Sequence, residues 1–309
     1  MNDFEKYTPQ FVTQEFLKPL LSSGSWAISK TIKRRDCIIF KAHHKHFKSA
    51  LCVKIYSAVR TEHGTPEALY KALQAYHVPQ SHMNVPAPYA YDAKHGAVIM
   101  EWVETPRWRN IIWKLLVQRK KTIRRAGQWL KWFHDQCDQE TTAYKDTSIP
   151  KIKRIINSED FSAPQNFDSC YNTLEHQIQK HTGTKILSGT VHGDFTPYNI
   201  LHDKQGRLVG IDFTAQETAP LYTDIARFFM YLNSYRPVYM SARADYNALI
   251  EGYDMMRNND VHRVILFGEV MRRWAVLRSA QITRRWNLWR EIEIIRISFM
   301  AKALQKSLN

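Results

Sequence analysis

"VHGDFTPYNILHDKQGRLVGIDF" (191–213) decides how the chain reads, and it holds three aspartates. Asp203 opens the turn "DKQG" (203–206), a setting Asp favours. Asp194 and Asp212 are harder to place. Each has a phenylalanine beside it, and Asp212 stands between Ile211 and Phe213 at the end of a buried-strand signature. A charge there is costly unless something meets it. The segments either side of the turn read as two short strands of a hairpin, which brings Asn199 back beside Asp212.

Asn199 and Asp212 both offer oxygen ligands. Hard Mg²⁺ takes such oxygens and commonly shares its shell with phosphates. Asp194 lies on the loop before the hairpin, five residues ahead of Asn199, where it can accept a proton from an incoming hydroxyl. A loop Asp as base, an Asn five residues on and a second Asp before Phe form the layout of phosphoryl transfer. The bland alternative is a surface hairpin whose Asp and Asn merely build turns.

At this point the sequence resembles the aminoglycoside phosphotransferase and choline kinase-like families, small-molecule relatives of the protein kinases. "HGDFTPYN" followed by "IDF" carries the resemblance. The protein-kinase form is H-R-D-x-x-x-x-N followed by D-F-G. Thr214 stands where a protein kinase has Gly, a departure usual in the small-molecule branch. The resemblance spans roughly 26–230 and implies an α+β, bilobal protein-kinase-like fold. The expected N-lobe (1–104) is a small β-sheet with one helix. The expected C-lobe (105–309) is larger and mostly helical, and carries the hairpin.

The resemblance also implies roles. Asp194 is the catalytic base. Asn199 and Asp212 hold Mg²⁺. Lys54 meets the phosphates of ATP or GTP and pairs with a helix Glu, for which Glu67 is first choice and Glu62 the rival. Glu101, Trp102 and Val103 form the segment that reads the base. Asp224 in "YTDIARFF" matches a helical Asp that braces the catalytic loop. No glycine-rich loop covers the phosphates: "WAISKTIKRRDCIIF" (26–40) lacks glycine, which leaves Ser29, Lys30 or residues 33–35 as candidates.

The rest of the chain fits two lobes. Its 309 residues exceed what many single domains need. The pattern to residue 104 is β-β-β-α-β-β, after a first helix that Thr8 caps and Pro9 starts. Thr65 and Pro66 open the second helix in the same way. From 109 onward helical patterns dominate, and no repeat is visible.

The net charge of +15 favours anionic partners. Charge alone would also suit nucleic acid, but no recognition module is identifiable, so no specific nucleic-acid partner is expected. A polycationic drug fits this charge poorly. A small-molecule or saccharide acceptor is expected instead, with an aminoglycoside- or choline-type cationic acceptor as an alternative. A catalytically weak kinase-fold binding protein is a further alternative, weakened because Lys54, Asp194, Asn199 and Asp212 are all present. Trp286 and Trp289, with Arg285 and Arg290, suit either core packing, an acceptor site or peripheral contact with an anionic membrane. "HHKH" (43–46) reads as a solvated hairpin tip rather than a metal site. Four cysteines without CxxC spacing and no signal or spanning segment point to a cytoplasmic protein.

Overall fold

Thr8 and Pro9 start the first helix as their chemistry predicts: the Thr8 hydroxyl accepts from the Phe11 amide at 3.2 Å. That helix, α1 (Pro9–Val12), continues into a π-turn over Thr13–Leu17. The computed structural model describes residues 4–20, 25–34, 36–46, 49–57, 65–79, 81–104, 119–158, 161–203, 206–213, 217–234, 242–254, 260–279 and 288–308. The chain divides into two units. One comprises Met1–Leu116 and Asn199–Glu217, the other Val117–Tyr198 and Thr218–Asn309.

The first unit is built on an antiparallel sheet of order β1-β2-β3-β6-β5. Its strands are β1 (Ala27–Lys33), β2 (Cys37–His43), β3 (Leu51–Tyr56), β5 (Pro88–Asp92) and β6 (Ala97–Glu101). Alternation sets its two faces. Leu51, Val53 and Ile55 face one way, opposite Ala42, Phe40 and Ile38 of β2. Val12, Phe16 and Leu17 complete this core. Lys54, between Val53 and Ile55, therefore points to the other face. Helix α2 (Pro66–Tyr76) is capped by Thr65, whose hydroxyl accepts from the Ala68 amide at 3.1 Å.

The hairpin of β9 (Ile200–His202) and β10 (Leu208–Gly210) groups with the first unit. The reason is a two-residue strand, β4 (Met83–Asn84), too short to read from sequence, which pairs in parallel with β10.

The second unit contains α3 (Arg119–Asp135), β7 (Gln139–Ala143), α4 (Ser148–Ile156), α5 (Phe167–His181), β8 (Lys185–Thr190), β11 (Thr218–Pro220), α6 (Tyr222–Ser234), α7 (Ala242–Tyr253), α8 (Asp260–Arg278) and α9 (Leu288–Leu308). Strands β7, β8 and β11 form a small antiparallel sheet beyond the expected helices. Helices α3 and α7 approach at glycines. A Cβ on Gly252 would lie 2.0 Å from the Arg124 carbonyl, and one on Gly127 would lie 2.3 Å from that of Leu249. No described helix is long and apolar enough to cross a membrane.

Candidate active site

Each unit carries part of the expected constellation. In the first, Lys54 projects from β3 between Ile39 of β2 and Val98 of β6. Its ammonium lies 2.6 Å from Asp212 Oδ1 and 4.9 Å from the Tyr56 ring centroid. The lysine side chain is 9% exposed and the aspartate 43% exposed. The pair is therefore buried at the cation and open to solvent at the anion. Burial opposes the lysine's charge, but Tyr56 and then Asp212 outweigh it and hold the ammonium pKa above its usual value. Burial also pushes Tyr56 and the Cys52 thiol up to about 12 each.

The hairpin does bring its ends together. Its register runs His202 to Leu208, Leu201 to Val209 and Ile200 to Gly210, and the Ile211 amide then donates to the Asn199 carbonyl at 2.9 Å. Asn199 is buried, 8% exposed. Asp212 follows with φ of +61°, in the left-handed region that Asp tolerates better than most residues. Phe213 anchors it, buried against the Tyr76 ring at 5.8 Å. The anchor is apolar and the carboxylate it presents is open.

Glu67 does not reach Lys54 in this structure. It lies in the first turn of α2 and pairs with Lys71 at 2.8 Å, both largely exposed, the ordinary i,i+4 contact of a helix surface. Glu62 and Thr214 lie outside the described residues. Glu101 ends β6 with its carboxylate turned to Arg207 at 3.0 Å. The Trp102 amide donates to the Ala50 carbonyl at 2.8 Å. Lys30 and Lys41 place ammonium groups 5.8 and 5.3 Å from the Trp102 ring centroid. The Val103 amide has no hydrogen bond among the described residues, which leaves a donor at the end of the strand.

In the second unit, β8 delivers the chain to His192-Gly193-Asp194. Gly193 takes φ of +78°, which glycine adopts without strain. Asp224, fully buried on α6, accepts the His192 amide at 2.6 Å and the Gly193 amide at 3.0 Å. His134 of α3 reaches the same carboxylate, Nε2 to Oδ2 at 3.1 Å. A carboxylate only accepts, so Nε2 carries a proton, and Nδ1 lies 2.7 Å from the Tyr253 hydroxyl, within hydrogen-bond reach. The close α3–α7 contact makes this relay reachable. Burial opposes ionisation of Asp224, but His134, then His192 and Arg227, hold its pKa below the usual range.

The loop is packed as well as bonded. Phe195 stacks on Trp129 at 5.8 Å and on Phe228 at 4.9 Å, and both Phe195 and Trp129 are fully buried. Asp194, by contrast, is exposed. One turn beyond Asp224, buried Arg227 bonds Glu269 at 3.0 and 3.2 Å, and Arg272 joins the same carboxylate at 3.0 Å. Burial disfavours the Glu269 charge, but the two arginines drive its pKa far below normal.

An apolar cavity of about 750 Å³ in this unit is lined by Phe229, Asn233, Leu266, Ile295, Arg296 and Phe299 among others. Phe229 and Asn233 sit roughly 140° and 180° around α6 from Asp224 at 3.6 residues per turn. The cavity thus faces away from the side of α6 that braces the loop. Arg290 donates to the Leu277 carbonyl at 2.6 Å. Arg285 and Trp286 lie outside the described residues. His44 of the "HHKH" run is buried, its ring 4.6 Å from Trp26, so only part of that stretch is a solvated tip.

Comparison with known proteins then gives a consistent picture. The family model described as APH, phosphotransferase enzyme family, matches residues 44–257. No curated protein matches the chain. Among solved structures, the fold is similar to choline kinase LicA from Streptococcus pneumoniae, at 14% identity over 95% of this chain and 99% of that one, with a TM-score of 0.63. It is similar to ethanolamine kinase from Plasmodium vivax, at 13% identity over 97% and 89%, TM-score 0.61. It is also similar to spectinomycin phosphotransferase APH(9)-Ia in complex with ADP and spectinomycin, at 14% identity over 90% and 93%, TM-score 0.57. The α+β, protein-kinase-like fold expected from the motif is the fold of these neighbours.

Proposed function

The chain belongs to the phosphotransferase enzyme family and is a small-molecule phosphotransferase acting on a hydroxyl acceptor, and from that premise we propose a division of labour among its residues. Asp194 accepts or orients the proton of the acceptor hydroxyl. Its exposure and its position after a glycine braced by Asp224 support that role. Asn199 and Asp212 hold Mg²⁺. The donor set fits this ion, with hard oxygens at the hairpin end and a carboxylate open to solvent. When bound, Mg²⁺ neutralises charge on the phosphates of ATP or GTP. Lys54 exchanges part of its contact with Asp212 for a nucleotide phosphate. Val103 offers its amide, and Glu101 and Trp102 their backbone, to the base. Glu67 exchanges Lys71 for Lys54 once a nucleotide draws the lysine from Asp212. Catalysis then rests on positioning and charge neutralisation.

The observation that carries this reading is the 2.6 Å pair of Lys54 with Asp212, two residues 158 positions apart in sequence. The acceptor class follows from charge. A net +15 suits a neutral or anionic hydroxyl compound, such as a saccharide or phosphorylated metabolite, better than a polycation. A cytoplasmic site, where nucleotide is available, and peripheral contact with an anionic membrane both accord with that charge.

The test is a coupled nucleotide-consumption screen with ATP and GTP, with and without Mg²⁺, over sugars, sugar phosphates, amino alcohols and aminoglycosides. Metal-dependent transfer to a panel member is expected, and it should disappear in Asp194→Asn while nucleotide affinity is largely kept. Full turnover in Asp194→Asn would falsify the base assignment. Tight nucleotide binding without turnover on any acceptor would favour the kinase-fold binding protein instead.

A further inference from the structure

The turn of the β9–β10 hairpin holds an ion triad that no step of the proposed chemistry uses. Arg207 Nε donates to Asp203 Oδ2 at 2.5 Å, and its Nη2 donates to Glu101 Oε1 at 3.0 Å. Its backbone amide donates to Asp203 Oδ1 at 2.8 Å, and the Asp203 amide donates to the Arg207 carbonyl at 3.1 Å. The other Glu101 oxygen accepts from the Ala87 amide at 3.4 Å. The side chains are 19% exposed for Arg207, 11% for Glu101 and 6% for Asp203. A planar guanidinium presents several donors in a fixed fork, so it can hold two carboxylates at a set spacing where lysine cannot.

What the triad joins is more telling than its strength. Glu101 is the last residue of β6, where the segment proposed to read the base begins. Asp203 belongs to the hairpin that ends in Asn199 and Asp212, the proposed metal ligands. Among the other ties between the hairpin and the sheet-bearing body, besides Phe213 on the Tyr76 ring and the Leu208 amide on the His82 carbonyl, two bear on the chemistry. One is the two-residue ladder of Leu208 to Met83 and Val209 to Asn84. The other is the Lys54–Asp212 pair, which must loosen when phosphates and metal compete for both groups. Arg207 is a charged tie that the proposed chemistry does not itself use.

We propose that Arg207 is a positioning residue for the transfer reaction: through Glu101 and Asp203 it fixes the metal-holding hairpin to the base-reading strand end, so that metal and base are engaged at one spacing. The inference rests on the reading of Asn199, Asp212 and Glu101–Val103 given above. It makes Arg207 responsible for the coupling between Mg²⁺ and nucleotide, beyond any share in stability. Glu101 then acts in two ways, by its backbone toward the base and by its side chain toward the hairpin.

The experiment compares binding of adenosine, ATP and MgATP, with the guanine set in parallel, by calorimetry on the full chain and on Arg207→Met, Arg207→Lys and Glu101→Gln, alone and combined. Arg207→Met is expected to keep adenosine affinity and to lose about tenfold of the gain that Mg²⁺ gives to ATP binding. Arg207→Lys should recover only part of that gain. The Arg207→Met, Glu101→Gln double variant should lose little more than Arg207→Met alone, as groups in one network do. Melting temperatures without ligand separate coupling from folding. A Mg²⁺ gain unchanged in Arg207→Met, or losses that track melting temperature alone and add fully with Glu101→Gln, would overturn the inference. A wild-type chain that binds neither MgATP nor MgGTP would overturn the underlying reading, and the inference with it.

Discussion

Lys54 and Asp212 form an ion pair whose two halves stand in different solvents, the ammonium 9% exposed and the carboxylate 43% exposed. Breaking it from either side should therefore have unequal effects on stability. Asp212→Asn strands a buried ammonium and should lower stability by about 3 kcal/mol. Lys54→Met leaves a carboxylate that water can solvate and should cost no more than about 1 kcal/mol. Both should reduce transfer by about 100-fold, since Lys54→Met removes the cation proposed to meet the phosphates and Asp212→Asn removes a charged ligand of the proposed Mg²⁺ site. Chemical denaturation of the two variants checks the asymmetry. Equal losses would mean that the pair is not buried at one end only.

Asp224 holds the catalytic loop by two backbone amides while His134 holds Asp224. Asp224→Asn retains the shape but turns an amide toward groups that already donate. Stability should fall by about 3 kcal/mol, because a buried network loses its acceptor. Transfer should fall about 100-fold through a misplaced Asp194. Tyr253→Phe removes only the outer hydroxyl of the relay and should cost about 1 kcal/mol with most turnover kept. Melting curves and turnover on the same preparations separate the two variants.

Gly252→Ala places a methyl 2.0 Å from the Arg124 carbonyl. Backbone cannot step aside as a flexible side chain can, so α3 and α7 must separate. A loss of about 3 kcal/mol is expected, although alanine is the better helix former. A variant as stable as the parent would show that the two helices are not in backbone contact.

Acid should destabilise the protein in two stages. His262 lies flat on Tyr222, ring centroids 4.0 Å apart, and burial lowers its pKa from 6.5 to about 4. The unfolded chain takes up that proton first, so stability falls as pH drops below 6.5 and this contribution is exhausted near pH 4. Glu269 and Asp224 have folded pKa values below their ordinary 4.5 and 3.8. Their stabilisation is complete above those ordinary values and is lost as pH falls through the lower folded ones. His262→Phe should flatten the melting-temperature profile between pH 6.5 and 4 and leave the steeper loss below it. A profile unchanged in that window would refute the assignment to His262.

Much of this was legible in the sequence. Thr8 and Thr65 cap helices because each precedes a proline and an apolar pattern. Lys54 stood out as a charge in an apolar strand, and the "DKQG" turn with its flanking strands placed Asn199 near Asp212. Other features left no local trace. The Met83–Asn84 strand is two residues long and gains meaning only from its partner β10. Arg207 looks like any surface arginine after a turn until Glu101, 106 residues earlier, is beside it. Gly127 and Gly252 drew no notice in the sequence, yet the close helix approach they allow is what lets His134 and Tyr253 meet. Glu67 shows the converse case. Its position at a helix start was clear, but that position alone does not name its cation, and here it pairs with Lys71.

The division of the chain also constrains the order in which it is made. A ribosome emits residues 1–116 well before 199–217. Until the later segment emerges, β4 lacks its strand partner, Lys54 lacks its carboxylate and Glu101 lacks Arg207. The nascent N-terminal segment is therefore an incomplete folding unit with two buried charges unanswered, and a chain truncated near residue 116 should be insoluble. Vectorial synthesis makes the last strokes of the first unit wait for residues 117–198 of the second.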